Sequence, residues 1–123
     1  MGNQEFRNEM KKRTKKYGLE TIMLVREIPR GRTEDALANQ YLRSGTGVGA
    51  NYRSACRGKS VKDFISKMGI VEEEADESVY WLELMVESGI IKKERAEKLV
   101  SEGNQLTALC VSAIRNSRQT LKN

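Results

Sequence analysis

The chain has 123 residues, enough for one domain (1–123) with a single core, and 32% of them are charged against 38% hydrophobic. One proline, two cysteines and no histidine favour long solvated helices over strands and turns, and leave no imidazole for acid–base work or metal ligation. No stretch approaches the roughly 20 apolar residues of a membrane span, and Met1-Gly-Asn-Gln-Glu-Phe-Arg7 is polar rather than signal-like, so a cytoplasmic protein without a membrane partner is expected.

The start Met1-Gly2 lacks the hydroxyl residue that myristoylation requires, since Phe6 stands there. Cys56 and Cys110, without C-x-x-C spacing, read as buried reduced thiols. The net charge of +5 is uneven: residues 1–60 hold 13 Lys and Arg against 6 Asp and Glu, and residues 61–123 hold 9 against 11. Such polarity suits an anionic partner or opposite-sign contact between subunits.

In the first 28 residues Phe6, Met10, Tyr17, Leu24 and Ile28 recur at four- or seven-residue spacing, with Thr14 and Thr21 on the same stripe. The pattern predicts an amphipathic helix over about 5–28, weakened at Gly18. Lys11, Lys12, Arg13, Lys15 and Lys16 crowd its middle. They form either a solvated face or an electrostatic footprint for nucleic acid.

Pro29-Arg-Gly-Arg32 breaks the pattern, and Thr33 followed by Glu34 and Asp35 predicts a capped second helix over about 34–57. This helix carries Gly45, Gly47 and Gly49, each costing about 1 kcal/mol against alanine. Leu42, Gly45, Gly49, Tyr52 and Cys56 share one face; Leu37, Tyr41, Ser44, Val48 and Ala55 share the adjacent one. One face suits a core and the other close backbone approach, within the chain or between subunits.

Two phosphate-loop readings fail. Gly45-Thr-Gly-Val-Gly49 is G-x-G-x-G with no strand before it, and Gly58-Lys-Ser60 has Arg53 where a Walker A motif needs its first glycine. Gly58 reads instead as a helix stop, and Ser60 with Asp63 as a capping box.

The third helix, about 61–88, turns Phe64, Met68, Val71, Ala75, Ser78, Leu82 and Met85 inward. Its centre, Glu72-Glu-Glu-Ala-Asp-Glu77, is the one dense carboxylate cluster. Di-metal bundles add Glu-x-x-His pairs, and this chain has no histidine, so only a carboxylate magnesium site would remain. The simpler expectation is no metal and no cofactor, with Glu73 or Glu77 accepting hydrogen bonds from Arg43. Arg43 and Glu77 are taken as the structural ion pair, and Trp81 as core or interface.

Gly89 and Ile90-Ile91 lead to a fourth helix over about 92–116, whose pattern carries Leu99, Leu106, Leu109, Cys110, Ala113, Ile114 and Leu121, with a polar tail from Asn116 expected to fray. Four helices with short connections predict an all-α, antiparallel up-down-up-down four-helix bundle.

Pro29, the run Leu37-x-x-Gln40-x-x-Arg43-Ser44-x-Thr46-x-Val48-Gly49-x-Asn51, then Asp63-Phe64, Glu77 and Gly89-Ile-Ile91 resemble the bacterial four-helix-bundle proteins encoded in intervening sequences of large-subunit ribosomal RNA genes. The likeness covers about residues 6–118 and extends to the accessory variability protein of diversity-generating retroelements, a basic bundle that associates with a reverse transcriptase and nucleic acid. It implies a ring-shaped homopentamer without catalytic residues. Val71-Glu-Glu-Glu74 departs from the Ala-x-Gly-Ser of the usual pattern, which points to a subgroup with a different partner.

An enzyme is disfavoured: there is no histidine base, no nucleophile with triad partners and no metal-ligand spacing. Two readings stay open. In one, a homo-oligomer meets RNA or DNA through Lys11, Lys12, Arg13, Lys15, Lys16, Arg53, Arg57 and Lys59, by shape and charge rather than base stacking. In the other, a protein-binding scaffold uses Gly45, Gly49, Tyr52 and Trp81 for packing or subunit contact, and the acidic third helix meets the basic half of a neighbour.

Overall fold

Most inward positions of the chain follow a rhythm of three- and four-residue steps. Met10, Thr14, Tyr17, Thr21 and Leu24 are buried in the first helix, with Ile28 buried just past its end; Ala38, Tyr41, Gly45, Val48, Tyr52 and Ala55 in the second. Phe64, Met68, Val71, Ala75, Ser78, Leu82 and Met85 follow in the third, and Ala96, Leu99, Gly103, Leu106, Cys110, Ile114 and Ser117 in the fourth. A repeat of 3.5 residues keeps one seam of each helix against its neighbours along the whole length, as in coiled-coil packing.

The computed structural model describes residues 4–123 and is all-α. Its helices are α1 (Gln4–Glu27), α2 (Arg32–Ala55), α3 (Val61–Glu87) and α4 (Lys93–Lys122). Connections of four and five residues make successive helices antiparallel. Packing runs α1–α2, α2–α3 and α3–α4, closed more loosely by α1–α4. The architecture is the expected up-down-up-down bundle. Among the described residues no helix is long and apolar enough to cross a membrane. The reading of Met1-Gly2 falls outside the described residues.

The ends are set by local chemistry. Ser60 Oγ accepts the Asp63 N–H at 3.1 Å, while the Asp63 carboxylate accepts the Lys59 N–H at 2.9 Å, so the reciprocal bond reaches one residue before the cap. At the end of α3, Gly89 adopts φ +82°, and the N–H groups of Gly89 and Ile90 bond Val86 O and Met85 O, a Schellman ending.

Three boundaries differ from expectation. The α2 cap is Gly31, not Thr33, because Asp35 reaches back to the Gly31 N–H and binds the Arg30 guanidinium fork at 2.9 and 3.1 Å. Helix α2 ends at Ala55, two residues early, since Arg57 and Gly58 turn back onto Ser54 O and Ala55 O. Helix α4 does not fray at Asn116: Ser117 is still buried and the helix continues to Lys122.

A polar layer crosses the middle of the core. The Tyr17 hydroxyl lies 2.7 Å from Ser78 Oγ, and Ser78 donates its own proton to Ala75 O at 2.7 Å, which leaves Tyr17 as donor to Ser78. Burial is the main cause that pushes the Tyr17 hydroxyl up to about 12. Thr14 and Thr21 return their hydroxyls to Met10 O and Tyr17 O, so neither leaves an orphan proton in the core.

Opposite this layer, a Cβ on Gly103 would stand 2.5 Å from Val79 Cγ2 and 2.7 Å from the Tyr17 oxygen. Gly69 of α3 has nothing within 4 Å of the same position. Gly103→Ala is therefore expected to lower stability by about 1–3 kcal/mol through overpacking. Gly69→Ala should raise it by up to about 1 kcal/mol through helix propensity. Urea unfolding of the two variants beside the parent checks both signs.

Candidate nucleic-acid interface

Helices α1 and α2 approach closely because small residues line both sides of their seam. A Cβ on Gly49 would meet Thr14 O at 3.2 Å, and one on Gly45 would meet the Thr21 side chain at 2.5 Å. Across from them, a Cβ on Gly18 would lie 3.8 Å from Thr46 Cα, an ordinary contact within an unbroken α1. Gly45, Gly49 and Tyr52 thus serve packing inside the subunit, with Tyr52 fully buried.

Above this seam runs a groove of about 620 Å³. Lys11, Lys15, Leu19 and Ile22 form its α1 wall; Ala50, Arg53, Cys56 and Arg57 form its α2 wall. Lys11 and Lys15 stand one turn apart on α1, Arg53 stands in the last turn of α2 with Arg57 in the turn just past it, and none of the residues lining the groove is acidic. The structure brings together Lys11, Lys15, Arg53 and Arg57 from segments nearly 40 positions apart in the chain. Cys56 sits half-buried within it as a free thiol.

The other four candidate cations lie elsewhere. Lys12 and Lys16 are exposed and line no part of the groove, with Lys16 3.8 Å from Glu20. Lys59 is exposed in the α2–α3 connection. Arg13 faces α4, where its guanidinium donates to both Glu102 oxygens at 2.9 and 2.6 Å and to Gln105 at 3.1 Å. The Glu102 hydrogen bonds raise the Arg13 pKa and make this group a clasp across the loosest seam of the bundle. Arg95 and Glu27 form a second clasp on the same seam.

Arg43 reaches both Glu77, at 3.1 Å, and Glu74, at 3.3 Å. Glu73, the other partner considered for it, instead lines a groove between α3 and α4 together with Glu72. Gly47 makes room for Glu74, whose Oε2 would stand 3.0 Å from a Cβ at that position. The acidic run is thereby split between two faces, and among the described residues no group of three or more His, Cys, Asp or Glu side chains converges as a metal site. Trp81 is half-buried against the core, its ring 5.2 Å from that of Tyr80 and its Nε1 buried without a partner.

Two features were not read from the sequence. Leu19 and Met23 are 55% and 57% exposed, beside the basic run. Their signal was available, since both fall off the inward stripe at a four-residue spacing. On the opposite face, α3 and α4 enclose a second groove of about 780 Å³ with Val86, Ala96, Val100 and Ala108 on its floor. Glu83, Glu87 and Glu97 rim it against a single Lys93.

Residues 7–112 match the family model described as 23S rRNA-intervening sequence protein. The fold is also similar to the 1.70 Å crystal structure of a protein of unknown function from the S23 ribosomal protein family of Bacteroides thetaiotaomicron VPI-5482, at 32% identity and a TM-score of 0.80, covering 85% of this chain and 97% of that one. No match is found among curated proteins.

Arg13 is expected to act on stability. A double-mutant cycle of Arg13→Ala with Glu102→Ala, read by urea unfolding, should give a coupling of about 0.5–1 kcal/mol that shrinks with salt.

Proposed function

We propose, for a chain that belongs to the 23S rRNA-intervening sequence protein family, a non-enzymatic, cytoplasmic role as a homo-oligomeric bundle that associates with nucleic acid through the α1–α2 groove. The observation that carries this reading is the gathering of Lys11, Lys15, Arg53 and Arg57 around one groove whose lining holds no carboxylate. Cations so placed neutralise phosphates without reading bases, and the released counterions make such binding steeply salt-dependent. Tyr17, Tyr41 and Tyr52 are at most 1% exposed, so these rings are unavailable for base stacking. RNA or DNA would be recognised by charge and shape.

Self-assembly, as a pentamer by the resemblance, would use the exposed Leu19 and Met23 on α1 and the acid-rimmed groove of α3–α4, which carry opposite charge. Kinship with the accessory variability protein would make a reverse transcriptase a further partner. The second reading is a protein scaffold without nucleic-acid contact. It is favoured by that same α3–α4 groove, apolar in its floor and acidic at its rim, which fits a basic amphipathic segment.

Titration of the purified protein with structured RNA and with duplex DNA across a salt series tests the proposal. Charge reversal at Lys11, Lys15, Arg53 and Arg57 together should weaken binding by about a hundredfold or more near physiological salt with helicity unchanged. Parent and variant binding alike would place the contact outside the groove, and a parent that does not bind would leave the scaffold reading. Light scattering on Leu19→Glu with Met23→Glu is expected to report a smaller mass than the parent, and an unchanged mass would place the subunit contact elsewhere.

A further inference from the structure

Antiparallel connectivity brings the start of α1, the end of α2, the start of α3 and the end of α4 to one end of the bundle. Beyond Met10, Tyr52, Val71 and Cys110, that end comprises residues 4–10, 52–71 and 110–123. It holds nine Lys and Arg against three Asp and Glu, a net +6, and the rest of the chain holds thirteen against fourteen, a net −1. The net charge of this end thus exceeds that of the whole chain, and part of it comes from α4, in the half of the sequence that is acidic on average.

Helix termini explain only some of these cations. The negative end of the helix dipole favours a base in the last turn, which covers Arg53 in α2 and Lys122 in α4. Arg115 stands about two turns before the end of α4, beyond the reach of that effect. Arg115 and Arg118 line a groove of about 790 Å³ between α3 and α4 that also holds Glu72 and Glu73. Yet no ion pair among the described residues involves either arginine, although Arg13, Arg30, Arg43 and Arg95 all form one. Both lie beyond the segment that matches the family model, residues 7–112.

We propose that Arg115 and Arg118 are phosphate-contact residues, and that the bundle meets nucleic acid with this whole end, the α1–α2 groove being one flank of a larger footprint. The inference rests on the nucleic-acid reading above and extends it to a helix the groove does not include. With a screening length of about 8 Å at physiological salt, charges gathered at one end act together on a polyanion, while the acidic rim of Glu83, Glu87 and Glu97 toward the other end is screened from it.

The test compares three full-length proteins against one fluorescent RNA hairpin with a long stem across a salt series: the parent, Arg115→Glu with Arg118→Glu, and Lys92→Glu with Lys98→Glu. The last pair lies at the opposite end and changes net charge equally. The α4 variant should bind about tenfold or more weakly near physiological salt, with a salt slope about two units shallower, and the control should stay within about threefold of the parent. Arg115→Gln with Arg118→Gln, milder for the fold, should show the same direction with a smaller loss.

Equal weakening of the α4 and control variants would mean net charge alone matters and would overturn the proposal. So would an α4 variant that binds like the parent while Lys11→Glu with Lys15→Glu still weakens binding, since contact would then be confined to the groove. Absence of binding by the parent would instead remove the nucleic-acid reading itself, and this extension with it.

Discussion

The hydrogen bond from the Tyr17 hydroxyl to Ser78 is the constraint around which the bundle is arranged. It joins helices that are diagonal to each other, and it does so in a core where both residues are fully buried. A buried hydroxyl without a partner costs about 1–3 kcal/mol, so sliding α1 along α3 by one turn would forfeit that amount. Gly103 of α4 completes the arrangement, since only a residue without a side chain leaves space for the phenol oxygen and Val79 together. One polar contact thus specifies axial register in a bundle whose apolar seams are nearly repetitive.

The second constraint is the seam of α1 and α2. Gly45 and Gly49 give up helix propensity, and what offsets this is close approach to Thr14 and Thr21. The consequence for function lies on the outside of the seam. Two helices drawn this near bring their flanking cations, Lys11 and Lys15 on one and Arg53 on the other with Arg57 just past its end, to the walls of a shared groove. The packing residues and the candidate contact residues are therefore parts of one arrangement, and the glycines act on any ligand only through the distance they set.

Charge is sorted by use as well as by position. Cations on the seams facing a neighbouring helix are matched with carboxylates: Arg13 with Glu102, Arg95 with Glu27, Arg43 with Glu74 and Glu77. Those around the α1–α2 groove and near the end of α4 form no ion pair among the described residues. In a chain with 22 basic and 17 acidic residues, pairing could have consumed most of the cations. Among the unpaired ones, Lys11, Lys15, Arg53 and Arg57 share one groove, and Arg115 and Arg118 line another.

Helix number, helix type, the inward stripes and the Ser60 and Gly89 punctuation were all legible in the sequence, because periodicity and capping depend on residues within one or two turns of each other. The run of five cations at Lys11 to Lys16 was equally visible, but its division was not. Lys15 and Arg13 are two residues apart, about 200° around the helix, so one borders α2 and the other α4. Local spacing fixes the angle between two side chains; which neighbouring helix stands at each angle is decided by how four amphipathic faces close around one core. For the same reason the basic half read from the chain became a basic end, once antiparallel packing laid the last turns of α4 beside the start of α3.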